Sequence, residues 1–173
     1  MESIIRKVTI ADTAALAALS KKTFYDTFTG TCTDADMQQF LADYFNETQV
    51  AKELSNQNDY YFFAEINGVP VGYLRFMEDY SSFSFMKQWK ALELKRIYVL
   101  KEFQGKGIAQ QLMNVVLDFC KKENYQVLWL GVWEHNIRAQ KFYEKNGFVN
   151  SGHTHDFPIG CTPQTDYWFW KFL

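Results

Sequence analysis

Residues 104 to 109 read Gln-Gly-Lys-Gly-Ile-Ala, between a β-rich run ending Arg96-Ile97-Tyr98-Val99 and an amphipathic stretch opening Ile108-Ala109-Gln110-Gln111-Leu112-Met113. This is a glycine-rich turn from a strand into a helix. A helix start leaves backbone N–H groups unpaired and carries the positive end of the macrodipole, and glycine lets the chain approach an anion closely. The turn therefore has the form of a phosphate cradle, although an ordinary βα turn uses the same glycines. Two cradles are excluded by spacing. A nucleotide P-loop needs a hydroxyl residue after its lysine, and Lys106 is followed by Gly107. The dinucleotide fingerprint G-x-G-x-x-G would need glycine where Gln110 stands, and early in the chain.

Outward from the turn, periodicity sets the elements. Ile4 to Ile10 reads as a first strand, and Asp12 or Thr13 can cap a helix through Leu16, Leu19, Phe24 and Phe28. Asp34 to Phe45 and Thr48 to Gln57 read as short helices. Tyr60 to Ile66 and Val71 to Phe76 flank Asn67-Gly68, a hairpin signal, so they should pair antiparallel. Leu92 to Val99 is the next strand, followed by the cradle and a helix to Glu123 with Leu112, Val115, Val116 and Phe119 opposite a polar stripe. Val127 to Trp133, Phe148 to His155 and Thr165 to Phe172 read as strands, and Asn136 to Asn146 as a helix. The order is β-α-α-β-β-β-α-β-α-β-β, an α/β chain with a mixed central sheet flanked by helices. Residues 1–173 read as one domain.

A second motif lies downstream. Asn136 is a good N-cap and Gly147 a good C′ residue, with Ala139, Phe142 and Tyr143 between them on the side that would pack on a sheet. Asn136 and Tyr143 are about two turns apart and share one face. The pattern Q-x-x-G-x-A of Gln104, Gly107 and Ala109 resembles the pyrophosphate loop of the GCN5-related N-acetyltransferase (GNAT) family. Asn136 to Phe148 resembles that family's N-x-x-A-x-x-F-Y-x-x-x-G-F segment. Over nearly the whole chain, KTFYDTF (22 to 28), AKELSNQ (51 to 57), LELKRIYV (92 to 99), WLGVWEHN (129 to 136) and QTDYWFWKFL (164 to 173) look like the bacterial spermidine/spermine N-acetyltransferase branch.

Composition agrees with an enzyme-sized domain. The chain has 173 residues, 47% of them apolar, so it can bury a real core. A net charge of −2 gives no general attraction to nucleic acid or acidic membranes. Cys32, Cys120 and Cys161 are odd in number and form no C-x-x-C pair, the usage of reduced thiols. No window approaches the roughly 20 apolar residues of a membrane span. The expectation is a cytoplasmic protein, monomeric or homodimeric, with no membrane or nucleic-acid partner. His153, His155 and Asp156 lack an evident fourth ligand, and no metal is expected.

The resemblance implies the GNAT fold and transfer of acetyl from the cosubstrate acetyl-CoA to a primary amine of a polyamine; another amine acceptor, or a non-catalytic acyl-CoA sensor, is the alternative. It implies that backbone N–H groups of Gln104, Gly105, Lys106, Gly107, Ile108 and Ala109 hold the pyrophosphate. Ile97, Tyr98 and Val99 would pair with the pantetheine arm, and Asn136 would bond the arm near the thioester. An alkylammonium resembles lysine, with a pKa of about 10.4, so its proton must be removed with help. Glu93 and Glu134 are the two candidate bases. A backbone N–H near Val99 would face the oxyanion, and Tyr143 would serve the departing thiolate. Lys101, Lys106, Arg138 and Lys141 are candidate phosphate partners. Polyamine recognition needs spaced carboxylates and aromatic faces; the candidates are Tyr25, Asp26, Glu78, Asp79 and Asp156.

Overall fold

A computed structural model describes residues 3 to 173. Seven strands form one mixed sheet: β1 (Ile4–Lys7), β2 (Asp59–Ile66), β3 (Val69–Met77), β4 (Ala91–Val99), β5 (Val127–Trp133), β6 (Val149–Asp156) and β7 (Thr165–Phe172), in the spatial order β1-β2-β3-β4-β5-β7-β6. The helices are α1 (Thr13–Phe28), α2 (Asp34–Tyr44), α3 (Glu47–Leu54), α4 (Ile108–Lys122) and α5 (Ile137–Lys145).

Two expectations need correction. The first strand ends at Lys7 and does not run to Ile10, because the Asp12 carboxylate accepts from the Thr9 N–H at 2.8 Å and turns the chain into a short 3-10 segment. Asp12 therefore faces back toward Thr9 and Arg6. The three helices read between β1 and β2 are all present, so it is the condensed order β-α-α-β that counted one too few. Each has its own start: Thr33 Oγ1 accepts from Asp36 N at 3.1 Å, and Asn46 Oδ1 accepts from Gln49 N at 2.8 Å.

Strand alternation divides the core. Ala64, Ile66, Leu74 and Phe76 face α4, whose Leu112, Met113 and Val116 are fully buried. Tyr61, Phe63 and Tyr73 face the opposite layer with Leu16, Ala17 and Val50 of α1 and α3. Each buried aliphatic side chain contributes about 1.5–3 kcal/mol. The β2–β3 hairpin turns at Asn67 and Gly68, both at positive φ, in the mirror-image turn that two-residue hairpins require.

Two irregularities shape the sheet's middle. The β3–β4 register shifts between Arg75 and Phe76, so Arg75 pairs with Arg96 and Phe76 with Leu94. Lys95 is the extra, bulged residue. Strands β4 and β5 run parallel but pair only through Ala91, Leu92 and Glu93, against Val127, Leu128 and Trp129. Beyond Glu93 they diverge, while β5 remains paired to β7 along its whole length.

Candidate active site

The divergence of β4 from β5 opens a cavity of about 1180 Å³. Its walls are Leu94 to Val99 on one strand and Gly131 to Trp133 on the other, closed by the cradle and α5. Leu100 N–H donates to Val71 O in β3, so strand alternation turns the N–H groups of Ile97 and Val99 away from β3 and into the gap. They are backbone donors without a strand partner.

The cradle forms because Gly105 and Gly107 take φ of +78° and +82°. Gly107 is the N-cap of α4 and has no side chain to satisfy the first turn. The N–H groups of Ile108, Ala109 and Gln110 therefore point outward unpaired. Nothing lies within 4 Å of a Cβ built on either glycine, so the concave face is open. Gln104 locks the turn: its Nε2 donates to Val99 O at 2.9 Å, and its Oε1 accepts from Arg138. That side-chain role is additional to the backbone role expected for Gln104.

Helix α5 sets the opposite wall. Asn136 Oδ1 accepts from Ala139 N at 3.1 Å, which leaves its Nδ2 as the group able to donate into the cavity. The helix ends in a Schellman motif, with Phe148 N–H bonded to Tyr143 O and Gly147 N–H to Glu144 O. The rings of Tyr143 and Phe148 meet at 5.8 Å, so the cap also aims the phenol. Tyr143 is buried, lines the cavity, and its hydroxyl makes no hydrogen bond among the described residues. Burial, and then the charge of Asp166, push its pKa up, so the phenol stays protonated.

A smaller, polar cavity of about 570 Å³ adjoins the first. Glu93 lies there at the root of the divergence. Lys95 Nζ is 2.7 Å from Glu93 Oε2 and 2.7 Å from Asp79 Oδ2. Lys95 thus bridges the two carboxylates, donating a hydrogen bond to Asp79 and pairing with Glu93 at the same distance. Burial drives the Glu93 carboxyl up to about 7, only partly opposed by Lys95. Burial would also raise Asp79, but the Lys95 and Ser81 hydrogen bonds hold it at about 2. The remaining wall is a closed ion network: Arg75 binds Asp59 at 2.7 Å and Glu53 at 3.1 Å, and Tyr61 donates to Glu53 at 2.5 Å.

The other expected residues are scattered. Glu134 lines neither cavity and stands 3.8 Å from His135 Nε2. Asp26 and Asp156 line the larger cavity, with Asp26 paired to Lys22. Tyr25 lies outside both cavities, as does Glu78, which accepts from Tyr125 at 3.0 Å. Lys101 and Arg138 line the larger cavity; Lys106 and Lys141 do not, and Lys106 lies over Phe103. None of the cysteines lines either cavity. His155 stacks on Trp168 at 4.9 Å, and no metal-ligand group of three occurs among the described residues. No helix among them is long and apolar enough to cross a membrane.

Sequence reasoning missed Asp166. It lies on β7 opposite Trp133, lines both cavities, and burial pushes its carboxyl up to about 6. Its only sequence signal is its place in the 164 to 173 string. Nothing local distinguishes one aspartate in an aromatic strand.

The model of the acetyltransferase (GNAT) family matches residues 21–148. The chain belongs to the GNAT acetyltransferase family. A relative from Lactobacillus delbrueckii subsp. lactis, described as an uncharacterized N-acetyltransferase in the pepI 3′ region, is 33% identical over 169 residues, 98% of this chain and 96% of its own. The fold is shared with the PaiA N-acetyltransferase from Thermoplasma acidophilum, solved in complex with coenzyme A, at TM-score 0.80 and 20% identity over 100% of both chains. It is shared too with a probable acetyltransferase from Staphylococcus epidermidis, at TM-score 0.78 and 16% identity over 99% of both. This GNAT protein is an acetyl-CoA-dependent N-acetyltransferase. The open cradle, the unpaired N–H groups of β4 and the size of the cavity fit that cosubstrate.

Gly72 sets how closely β3 approaches the Tyr98–Val99 segment. A Cβ there would sit 2.8 Å from Tyr98 O and 3.1 Å from Val99 Cγ2. Gly72→Ala is therefore expected to cost about 1–3 kcal/mol by overpacking, and to raise the KM for acetyl-CoA in this GNAT enzyme by displacing β4. Urea unfolding and steady-state kinetics measure both. An unchanged midpoint would show that the strand pair yields freely.

Proposed function

We propose that this acetyltransferase acetylates a primary amine of a polyamine such as spermidine or spermine, by direct transfer in a ternary complex. The observation that supports the reading is the lining of the larger cavity. It includes the carboxylates of Asp156 and Asp166, that of Asp26 beside its partner Lys22, and the aromatic residues Phe24, Phe28, Trp133 and Phe157. Carboxylates pair with ammonium groups and aromatic faces attract them, so a long polycation finds both kinds of partner along one path.

Acetyl-CoA supplies the activated acyl group. The residues then divide the remaining work. The first-turn N–H groups of α4 bind the pyrophosphate, and the N–H groups of Ile97 and Val99 orient the pantetheine arm and face the developing oxyanion. Glu93, with its pKa near neutrality, takes the proton of the acceptor ammonium through water in the polar cavity. Tyr143 donates to the departing sulfur. No cysteine is needed as an acyl carrier. The test is release of free CoA across a panel of acceptors. Spermidine and spermine should give the highest kcat/KM; if lysine peptides or aminoglycosides match them, the polyamine reading fails.

A further inference from the structure

Six residues line both cavities: Lys95, Arg96, Gly131, His155, Phe157 and Asp166. Asp166 is the one carboxylate among them. We propose that Asp166 contacts the acceptor directly, holding its cationic end at the junction where the polar cavity meets the larger one. The inference rests on the reading of the acceptor as a cationic amine.

Three observations support it. First, neighbouring acids are already matched inside the protein: Glu93 and Asp79 by Lys95, Glu53 and Asp59 by Arg75. Asp166 has no side-chain ion pair or hydrogen bond among the described residues, and desolvation alone accounts for its raised carboxyl. A half-buried carboxylate left unmatched is costly unless a cation completes it. Second, room is kept for it. A Cβ on Gly131 would fall 3.0 Å from Asp166 Oδ2 and 2.8 Å from Trp168 Cζ3, so the absent side chain preserves the carboxylate's place. Third, its position is central: β7 sets it against Trp133 of β5 and His155 of β6, and its charge reaches the Tyr143 hydroxyl. An ammonium held there lies close to the group that serves the leaving sulfur.

Asp166→Asn keeps the shape and removes the charge. Trp133 and Trp168 stand beside the junction, so tryptophan fluorescence reports spermidine binding in the presence of CoA independently of turnover. The expected result is a Kd and a KM for spermidine raised at least tenfold, with the KM for acetyl-CoA within twofold. Asp166→Ser should behave alike. Spermidine that binds the wild type and both variants equally overturns the role of Asp166 and leaves the polyamine reading standing. A wild type that neither binds nor acetylates spermidine sinks the polyamine reading instead. Asp166 is then judged on the amine turned over fastest, where an unchanged KM in both variants overturns it and a tenfold rise supports it. Equal loss of acetyl-CoA affinity in both variants means a packing role and also overturns it.

Discussion

Replacing Tyr143 with phenylalanine is expected to lower kcat about 10²-fold while leaving affinity for acetyl-CoA within about threefold. The ring is fixed by the Schellman end of α5 and by Phe148, and that packing survives the substitution. Only the hydroxyl is removed. Burial keeps that hydroxyl protonated at neutral pH, the state that can donate to a leaving thiolate. Turnover assays and calorimetric titration with acetyl-CoA separate the two effects. Unchanged turnover would remove Tyr143 from the chemistry, and lost affinity would reassign it to packing.

Glu93→Gln is expected to cost a similar factor, about 10²-fold in kcat, and to abolish a rise of rate with pH centred near 7. Only the ionised carboxylate can accept the acceptor's proton, so wild-type activity grows as pH passes through that value. Stability runs the other way. The folded-state pKa lies above the ordinary value of 4.5, so the proton-linked contribution is complete below that value and lost as pH rises through about 7. At pH 8 the enzyme carries a buried carboxylate whose desolvation is only partly offset by Lys95, which it shares with Asp79. Glutamine removes that charge, and the variant is expected to gain on the order of 1–3 kcal/mol at pH 8 and little at pH 5. Urea unfolding at both values checks this; equal stability changes at the two would contradict the linkage.

Much of the architecture was legible because it is written in local signals. Asn67-Gly68 places a hairpin, Gly107 a helix start, and Asn136 with Gly147 both ends of α5, since each of these residue types satisfies a backbone need within a few positions. The two motifs line one cavity from opposite walls. What was not legible depends on contacts between distant segments. The end of β1 follows from where Asp12 turns its carboxylate. Glu93 and Glu134 look equivalent as acids near strand ends, and only the three-residue pairing of β4 with β5 puts Glu93 at the root of a cavity and leaves Glu134 beside His135. Asp166 and Gly131 acquire meaning only from each other, across two strands that sequence order separates by a helix and a further strand.

The short β4–β5 pairing also bears on how the molecule holds together. Among the described residues, strands β4 and β5 join the β1–β4 half of the sheet to the β5–β7–β6 half through three residue pairs at one end, with Lys90 and Gln126 bonded just beyond them. The protein is thus built with an open seam, and on the binding mode proposed above the pantetheine arm is the thread that closes it, supplying to Ile97 and Val99 the partners that β5 withholds. Ligand binding of that kind is also completion of the fold. If the cosubstrate pairs there, amide exchange along Leu94 to Val99 should slow most when acetyl-CoA is added; unchanged exchange along that stretch would contradict the pairing.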